Sequence, residues 1–180
     1  KGVGALIAGP DYNPGGMSAM LRGGGQESGR RAGTENVIGI AGFGAACEAA
    51  ARDLSNGIWE RVAELRNVLE KALEAGSKKT IFVGKDVERL PNTACFITPG
   101  WRGDMQVMQM DLAGFAISAG SACSSGKVAT SRVLTAMGFD EAQAACAVRV
   151  SLGVDTTEEH VLRFADAWTA KLKKHEARAA

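Results

Sequence analysis

Apolar positions recur at helical spacing in three stretches of the chain and at alternating spacing in several shorter ones. Between Ile58 and Ala75, the side chains Val62, Leu65, Leu69, Ala72 and Leu73 fall on one face, which predicts an amphipathic helix with Gly76 as its C-cap. From Val37 to Leu54 the apolar and small positions Ile38, Ala41, Ala45, Ala46 and Ala49 suit close helix packing, and Thr34-Glu35-Asn36 offers polar side chains to cap that helix. A third helix starts behind Thr156-Thr157-Glu158-Glu159 and runs to about Lys173, leaving a polar tail from Lys174 to Ala180 that is expected to fray.

The shorter runs read as strands: residues 2–8, Thr80–Val83, Thr93–Thr98 behind Pro91-Asn92, Phe115–Ser118, and Val148–Leu152, where Val148, Val150 and Leu152 alternate with Arg149 and Ser151. Short helices are predicted over residues 103–113 and 131–137. Residues 9–34 and 120–130 carry no period of either kind. A loop as long as the first is uncommon in a compact domain and points to function. The pattern changes near Lys78. Residues 1–76 supply a strand, a long loop and packing helices, and residues 77–180 form a small α/β unit.

Composition adds limits. Of 180 residues, 46% are hydrophobic and 23% charged, with a formal net charge of +1. Such a balance gives no reason to expect nucleic acid or an anionic membrane as partner, and no apolar run has transmembrane length. The start, Lys1-Gly2-Val3-Gly4-Ala5-Leu6-Ile7, has neither an initiator methionine nor the features of a signal peptide, and reads as a chain entered partway through a strand. The four cysteines, Cys47, Cys95, Cys123 and Cys146, form no CxxC pair, so no zinc or iron–sulfur site of local ligands is expected. A reducing, cytosolic compartment is the default.

Three segments carry candidate chemistry. In Ser118-Ala119-Gly120-Ser121-Ala122-Cys123-Ser124-Ser125-Gly126 a cysteine follows a strand within a run of small residues. Small neighbours leave a thiol uncovered and let a loop swing, as a nucleophile that collects an atom and hands it on requires. A plain free cysteine in a flexible loop fits the same residues. Cys47, Cys95 and Cys146 sit in alanine-rich or apolar contexts and read as small core residues. The run from Arg22 to Asn36 combines Gly23-Gly24-Gly25, three arginines and Thr34 ahead of a helix start, a set that binds phosphate or simply builds a turn. Arg149 is the one charge inside an alternating strand. It suits a substrate carboxylate, or else it marks the wet face of an edge strand. His160 and His175, the two histidines, read as surface residues.

Taken in order, Lys1-Gly2-Val3-Gly4-Ala5-Leu6, Arg22–Asn36, Pro91-Asn92, Gly120-Ser121-Ala122-Cys123 and Val148-Arg149-Val150-Ser151-Leu152-Gly153 resemble the cysteine desulfurases of the NifS/IscS type, in the class V aminotransferase group of fold-type I pyridoxal-phosphate enzymes. The resemblance implies an α/β fold: the end of the large cofactor-binding domain with dimer-interface helices over residues 1–76, and the small C-terminal domain over 77–180. It further implies conversion of L-cysteine to L-alanine, with the sulfur left as a persulfide on Cys123. By the same resemblance, Arg149 binds the substrate carboxylate and Thr34 reaches the phosphate of pyridoxal phosphate in the neighbouring subunit of a homodimer. The implied partners are an N-terminal half and a sulfur-acceptor or iron–sulfur scaffold protein.

Lys1 matches the lysine of the family's Gly-Pro-Lys-Gly segment and not its Schiff-base lysine. The residues that hold the cofactor ring are therefore expected outside this chain, and the polypeptide alone is expected not to catalyse desulfuration. Two other readings stay open: a non-catalytic docking or regulatory half, and a related lyase acting on selenocysteine or cystine.

Overall fold

A computed structural model of the chain describes residues 2–7, 9, 18–19, 21–120 and 131–179. The chain divides between Asn56 and Gly57 into two compact units.

In the first unit, helix α1 (Val37–Ser55) begins where the polar cap was expected: the Asn36 side chain accepts a hydrogen bond from the Gly39 amide at 3.1 Å. Its Nδ2 also donates to the Gly2 carbonyl at 3.4 Å. A Cβ on Gly39 would stand 2.6 Å from Val3 Cγ2, so the segment around Val3 lies against the first turn of α1. Residues 2–7 form no strand, contrary to the sequence expectation. A strand needs a neighbour for its backbone groups, and none of the described strands pairs with this segment. Within the glycine-rich run, Gln26–Gly29 make a short 3-10 turn in which Glu27 and Ser28 adopt left-handed φ of 51° and 56°. Two successive side-chain-bearing residues there cost roughly 1–2 kcal/mol each.

The second unit holds helices α2 (Ile58–Gly76), α3 (Gly103–Asp111), α4 (Arg132–Ala136), α5 (Glu141–Ala145) and α6 (Glu158–Ala179), with strands β1 (Ile81–Phe82), β2 (Thr93–Ile97), β3 (Ser118–Ala119) and β4 (Ala147–Ser151). The sheet order is β1-β2-β4-β3, antiparallel throughout. Alternation along the two central strands divides the core. Ala94, Phe96, Val148 and Val150 face α2 and α6, where they pack with Val62, Leu69, Leu73, Val161, Phe164 and Trp168. Ile97 and Ala147 point the other way, toward Val83, Leu134, Ala144 and Cys146. Each fully buried aliphatic side chain in these clusters contributes roughly 1.5–3 kcal/mol.

Specific contacts lock this arrangement. Gln106 is fully buried with its amide satisfied on both sides: its NH2 donates to the carbonyls of Trp101 at 2.8 Å and Cys146 at 3.1 Å, and its oxygen accepts from the Trp168 indole at 3.0 Å. Arg89 makes a two-point ion pair with the buried Glu70 carboxylate at 2.6 and 2.8 Å, tying the segment before β2 to α2. Arg61 donates to the carbonyls of Val154 and Thr156 and so fixes the turn after β4.

Two further expectations are corrected, and one helix appears that periodicity does not predict. Gly76 is the last residue of α2, with Ser77 in extended backbone as the cap. The glycine is there for proximity, since a Cβ would meet Thr169 Oγ1 of α6 at 2.3 Å. Lys174–Ala179 do not fray but continue α6, because the His175 ring stacks on buried Trp101 and donates from Nε2 to the Gly100 carbonyl at 3.0 Å. Helix α5 was not expected from periodicity. It is held by a capping box in which Gln143 N donates to Asp140 Oδ1 at 2.7 Å and Asp140 N to Gln143 Oε1 at 3.2 Å.

Candidate active site

Strand β4 carries Arg149 in its middle, and β4 lies between β2 and β3. Arg149 is therefore on an interior strand, not an edge, and the reading of it as the wet face of an edge strand is set aside. It points away from the α2–α6 core, on the face shared with Cys95 and Ala147. In the antiparallel register Cys95 of β2 and Ser118 of β3 both stand opposite Arg149. On this face a cavity of about 350 Å³ opens, walled by Val83, Cys95, Leu134, Met137, Ala147 and Arg149 among others.

Arg149 is half-buried and donates from Nη1 to the Gly120 carbonyl at 2.7 Å. No carboxylate pairs with it among the described residues. A guanidinium has five N–H donors, so as far as the described residues go most of its fork remains for an anion. The apolar wall around it lowers the local dielectric and strengthens any such contact. Burial pushes the Cys95 thiol above its usual pKa, and the nearby Arg149 charge partly opposes that rise. At neutral pH Cys95 is thus a protonated thiol. Pattern reading placed Cys95 in the core. Its position on the cavity wall follows from strand register, which local sequence does not display.

Thr34 is exposed at the end of the glycine-rich run. Arg31 curls beneath it, donating from Nη1 to the carbonyls of Gly33 at 2.8 Å and Thr34 at 3.2 Å. Gly33 has φ of 100° and its amide donates to Gln26 Oε1 at 3.3 Å. One exposed hydroxyl beside a folded-back guanidinium fits a single contact to a phosphate held by other residues. It does not form an enclosed phosphate cradle.

Cys123 lies outside the described residues, as does the rest of 121–130. Gly120, described, marks where that run leaves β3. Of the other thiols, Cys146 is buried as expected, whereas Cys47 is exposed on α1, contrary to a core role. His160 is exposed as expected. Its amide donates to Thr157 Oγ1 at 3.2 Å, and its Nδ1 accepts from the Thr157 amide at 3.3 Å, closing the first turn of α6. Among the described residues no cluster of three or more His, Cys, Asp and Glu could hold a metal ion, and no helix is long and apolar enough to cross a membrane.

Comparison with known proteins shows the family to which the chain is similar. The profile of the class-V aminotransferases matches residues 1–164. A cysteine desulfurase of Sinorhizobium fredii (strain NBRC 101917 / NGR234) is 40% identical over 178 residues, covering 97% of this chain and 44% of the relative. The cysteine desulfurase NifS of Azotobacter vinelandii is 39% identical over 165 residues, covering 91% of this chain and 40% of that protein. The X-ray structure of a NifS-like protein from Rickettsia africae ESF-5 superposes with a TM-score of 0.74 at 32% identity, over 87% of this chain and 40% of that one. This chain thus spans less than half the length of these relatives. With a profile match across most of its residues, the chain belongs to the class-V aminotransferase family.

Proposed function

We propose that this chain is the portion of a pyridoxal-phosphate-dependent cysteine desulfurase that binds the substrate carboxylate and receives its sulfur. The observation that carries this reading is Arg149: a half-buried guanidinium, free of any carboxylate among the described residues, on an apolar cavity and bonded to Gly120 at the root of the Gly120-Ser121-Ala122-Cys123 run. The cysteine desulfurase names of its relatives support the same reaction.

Arg149 holds the carboxylate of L-cysteine in a two-point grip, which fixes how the rest of the amino acid is presented. Cys123, as a thiolate, attacks the substrate sulfur and keeps it as a persulfide, while the carbon skeleton leaves as L-alanine. Thr34 donates its hydroxyl to the cofactor phosphate of a second subunit, so that two copies complete each other's sites. When bound, pyridoxal phosphate supplies the electron sink that lets the carbon–sulfur bond break. In this reading residues 1–76 end the large domain and residues 77–180 form the small one. The work is cytoplasmic, and the persulfide passes to an acceptor such as an iron–sulfur scaffold protein.

The test is carried out on the holoenzyme that contains this chain. Cys123→Ala abolishes persulfide formation from labelled L-cysteine. Arg149→Ala raises KM for L-cysteine by about 100-fold, from loss of a charge-assisted bidentate contact of about 3 kcal/mol. Persulfide transfer at the normal rate without Cys123 would defeat the assignment.

A further inference from the structure

We infer that Gly120 is a positioning residue for Arg149, an assignment that rests on the carboxylate-binding reading of that arginine. An arginine side chain has several free torsions, and a two-point grip on a carboxylate demands one orientation of its planar fork. Something must hold the fork before substrate arrives. The described walls of the cavity offer little else: Val83, Leu134, Met137 and Ala147 are apolar, the Ser131 hydroxyl accepts from the Leu134 amide at 3.4 Å, and Cys95 opposite is a raised-pKa thiol that provides no anion. Among the described residues, the hydrogen bond from the Arg149 guanidinium goes to the Gly120 carbonyl, at 2.7 Å.

That carbonyl is placed by backbone conformation. Ser118 and Ala119 pair with Arg149 and Val148, and the chain turns at the next residue, Gly120, with φ of 67°. Left-handed backbone is open to glycine without penalty and is disfavoured for residues with a Cβ, asparagine being the best tolerated of these. From that turn at the end of β3 the glycine carbonyl accepts from the arginine that pairs with Ser118, two residues earlier. The bond uses one of the five guanidinium donors and restrains the plane that carries the rest. Gly120 touches neither substrate nor cofactor in this role and acts through Arg149.

The experiment has two arms. In the 180-residue chain, nitrogen-15 NMR of arginine side chains reads rotation about the Arg149 Cζ–Nη bonds. The expected signature is slowed rotation, lost in Gly120→Ala and retained in Gly120→Asn. In the holoenzyme, Gly120→Ala raises KM for L-cysteine about ten-fold, the worth of one charge-assisted hydrogen bond, with kcat within about two-fold and Gly120→Asn restoring most of the KM. Freely rotating Arg149 in the unsubstituted chain overturns the inference, and so do equal effects of Ala and Asn, or a fall in kcat that matches the rise in KM. If Arg149→Ala raises KM while Gly120→Ala does not, the inference alone fails. If Arg149→Ala leaves KM unchanged although its rotation is slowed, the carboxylate reading has failed and takes the inference with it.

Discussion

Cys95 and Arg149 stand directly opposite each other across the β2–β4 pair, a thiol and a guanidinium on the wall of one cavity. Burial raises the thiol pKa and the arginine charge opposes it. Cys95 should therefore alkylate more slowly than the exposed Cys47 at neutral pH, since only the thiolate reacts and burial also hinders access. Arg149→Met removes the opposing charge and should slow Cys95 further at any given pH. Peptide-level mass spectrometry after timed iodoacetamide treatment measures both, and equal labelling of Cys95 and Cys47 would contradict the burial. The sign for stability follows. The native state keeps this proton more tightly than the unfolded chain, so the favourable contribution is complete below the unfolded thiol's pKa and is lost as pH rises through the folded one. Cys95→Ala should flatten that alkaline loss.

The pair between Glu70 and Arg89 is the most buried ion pair among the described residues. Glu70 is 3% exposed, and both carboxylate oxygens are taken by Arg89. Arg89→Ala strands that carboxylate and should cost about 3–5 kcal/mol. Replacing both partners together, Glu70→Met with Arg89→Leu, should cost clearly less, because no carboxylate is left buried without its bidentate partner and Arg66 loses the repulsion of Arg89 along with the attraction of Glu70. Urea unfolding of the two variants decides it. A double variant as unstable as Arg89→Ala would show that the segment before β2 depends on packing rather than on the pair.

Much of this architecture is legible along the chain, and the exceptions share a cause. Helices α2 and α6 are long enough for a period of 3.6 to show, and Val148–Leu152 alternate clearly enough to mark β4. Helix α5 spans five residues, too few for periodicity, although the Asp140-to-Gln143 spacing of a capping box was present to be read. Residues 2–7 have strand-like composition but no described strand to pair with, and pairing is a non-local property. The same holds for the site. Arg149 stands out in the sequence as a lone charge. That its strand is interior, and that Cys95 faces it, depends on sheet order and register. Gly120 is legible only as part of the small-residue run around Cys123, because a φ of 67° leaves no trace in composition.

Gln106 links three elements through one amide. Its NH2 bridges the carbonyls of Trp101 and Cys146, the latter immediately before β4, and its oxygen takes the Trp168 indole of α6. Gln106→Ala leaves these groups buried without partners and should destabilise the second unit by about 3 kcal/mol, roughly 1 for each lost bond. Because Cys146 leads into the strand that carries Arg149, hydrogen exchange at the amides of β4 should accelerate more than at those of α2. Uniform acceleration would mean that the amide contributes only to global stability.

Close approach of α2 and α6 depends on the absence of a side chain at Gly76. A Cβ there would lie 2.3 Å from Thr169 Oγ1, 3.0 Å from its Cγ2 and 3.2 Å from its Cβ. Helix propensity alone favours Gly76→Ala by about 1 kcal/mol, but threonine is branched at Cβ and cannot turn both groups aside. Overpacking of about 1–3 kcal/mol should win, so the single variant unfolds at lower temperature. Thr169→Ala removes the two nearest atoms, and the double variant should recover most of the loss. Gly103 is the contrasting case. There the nearest atom to an added Cβ is the Ala147 carbonyl oxygen at 2.5 Å, a backbone group that no side-chain truncation relieves. Gly103→Ala should stay destabilised whatever is changed around it. Thermal unfolding of the single and double variants separates the two: recovery for Gly76 with Thr169, none for Gly103 with Ala119→Gly, although the Ala119 Cβ lies 3.1 Å from the added atom.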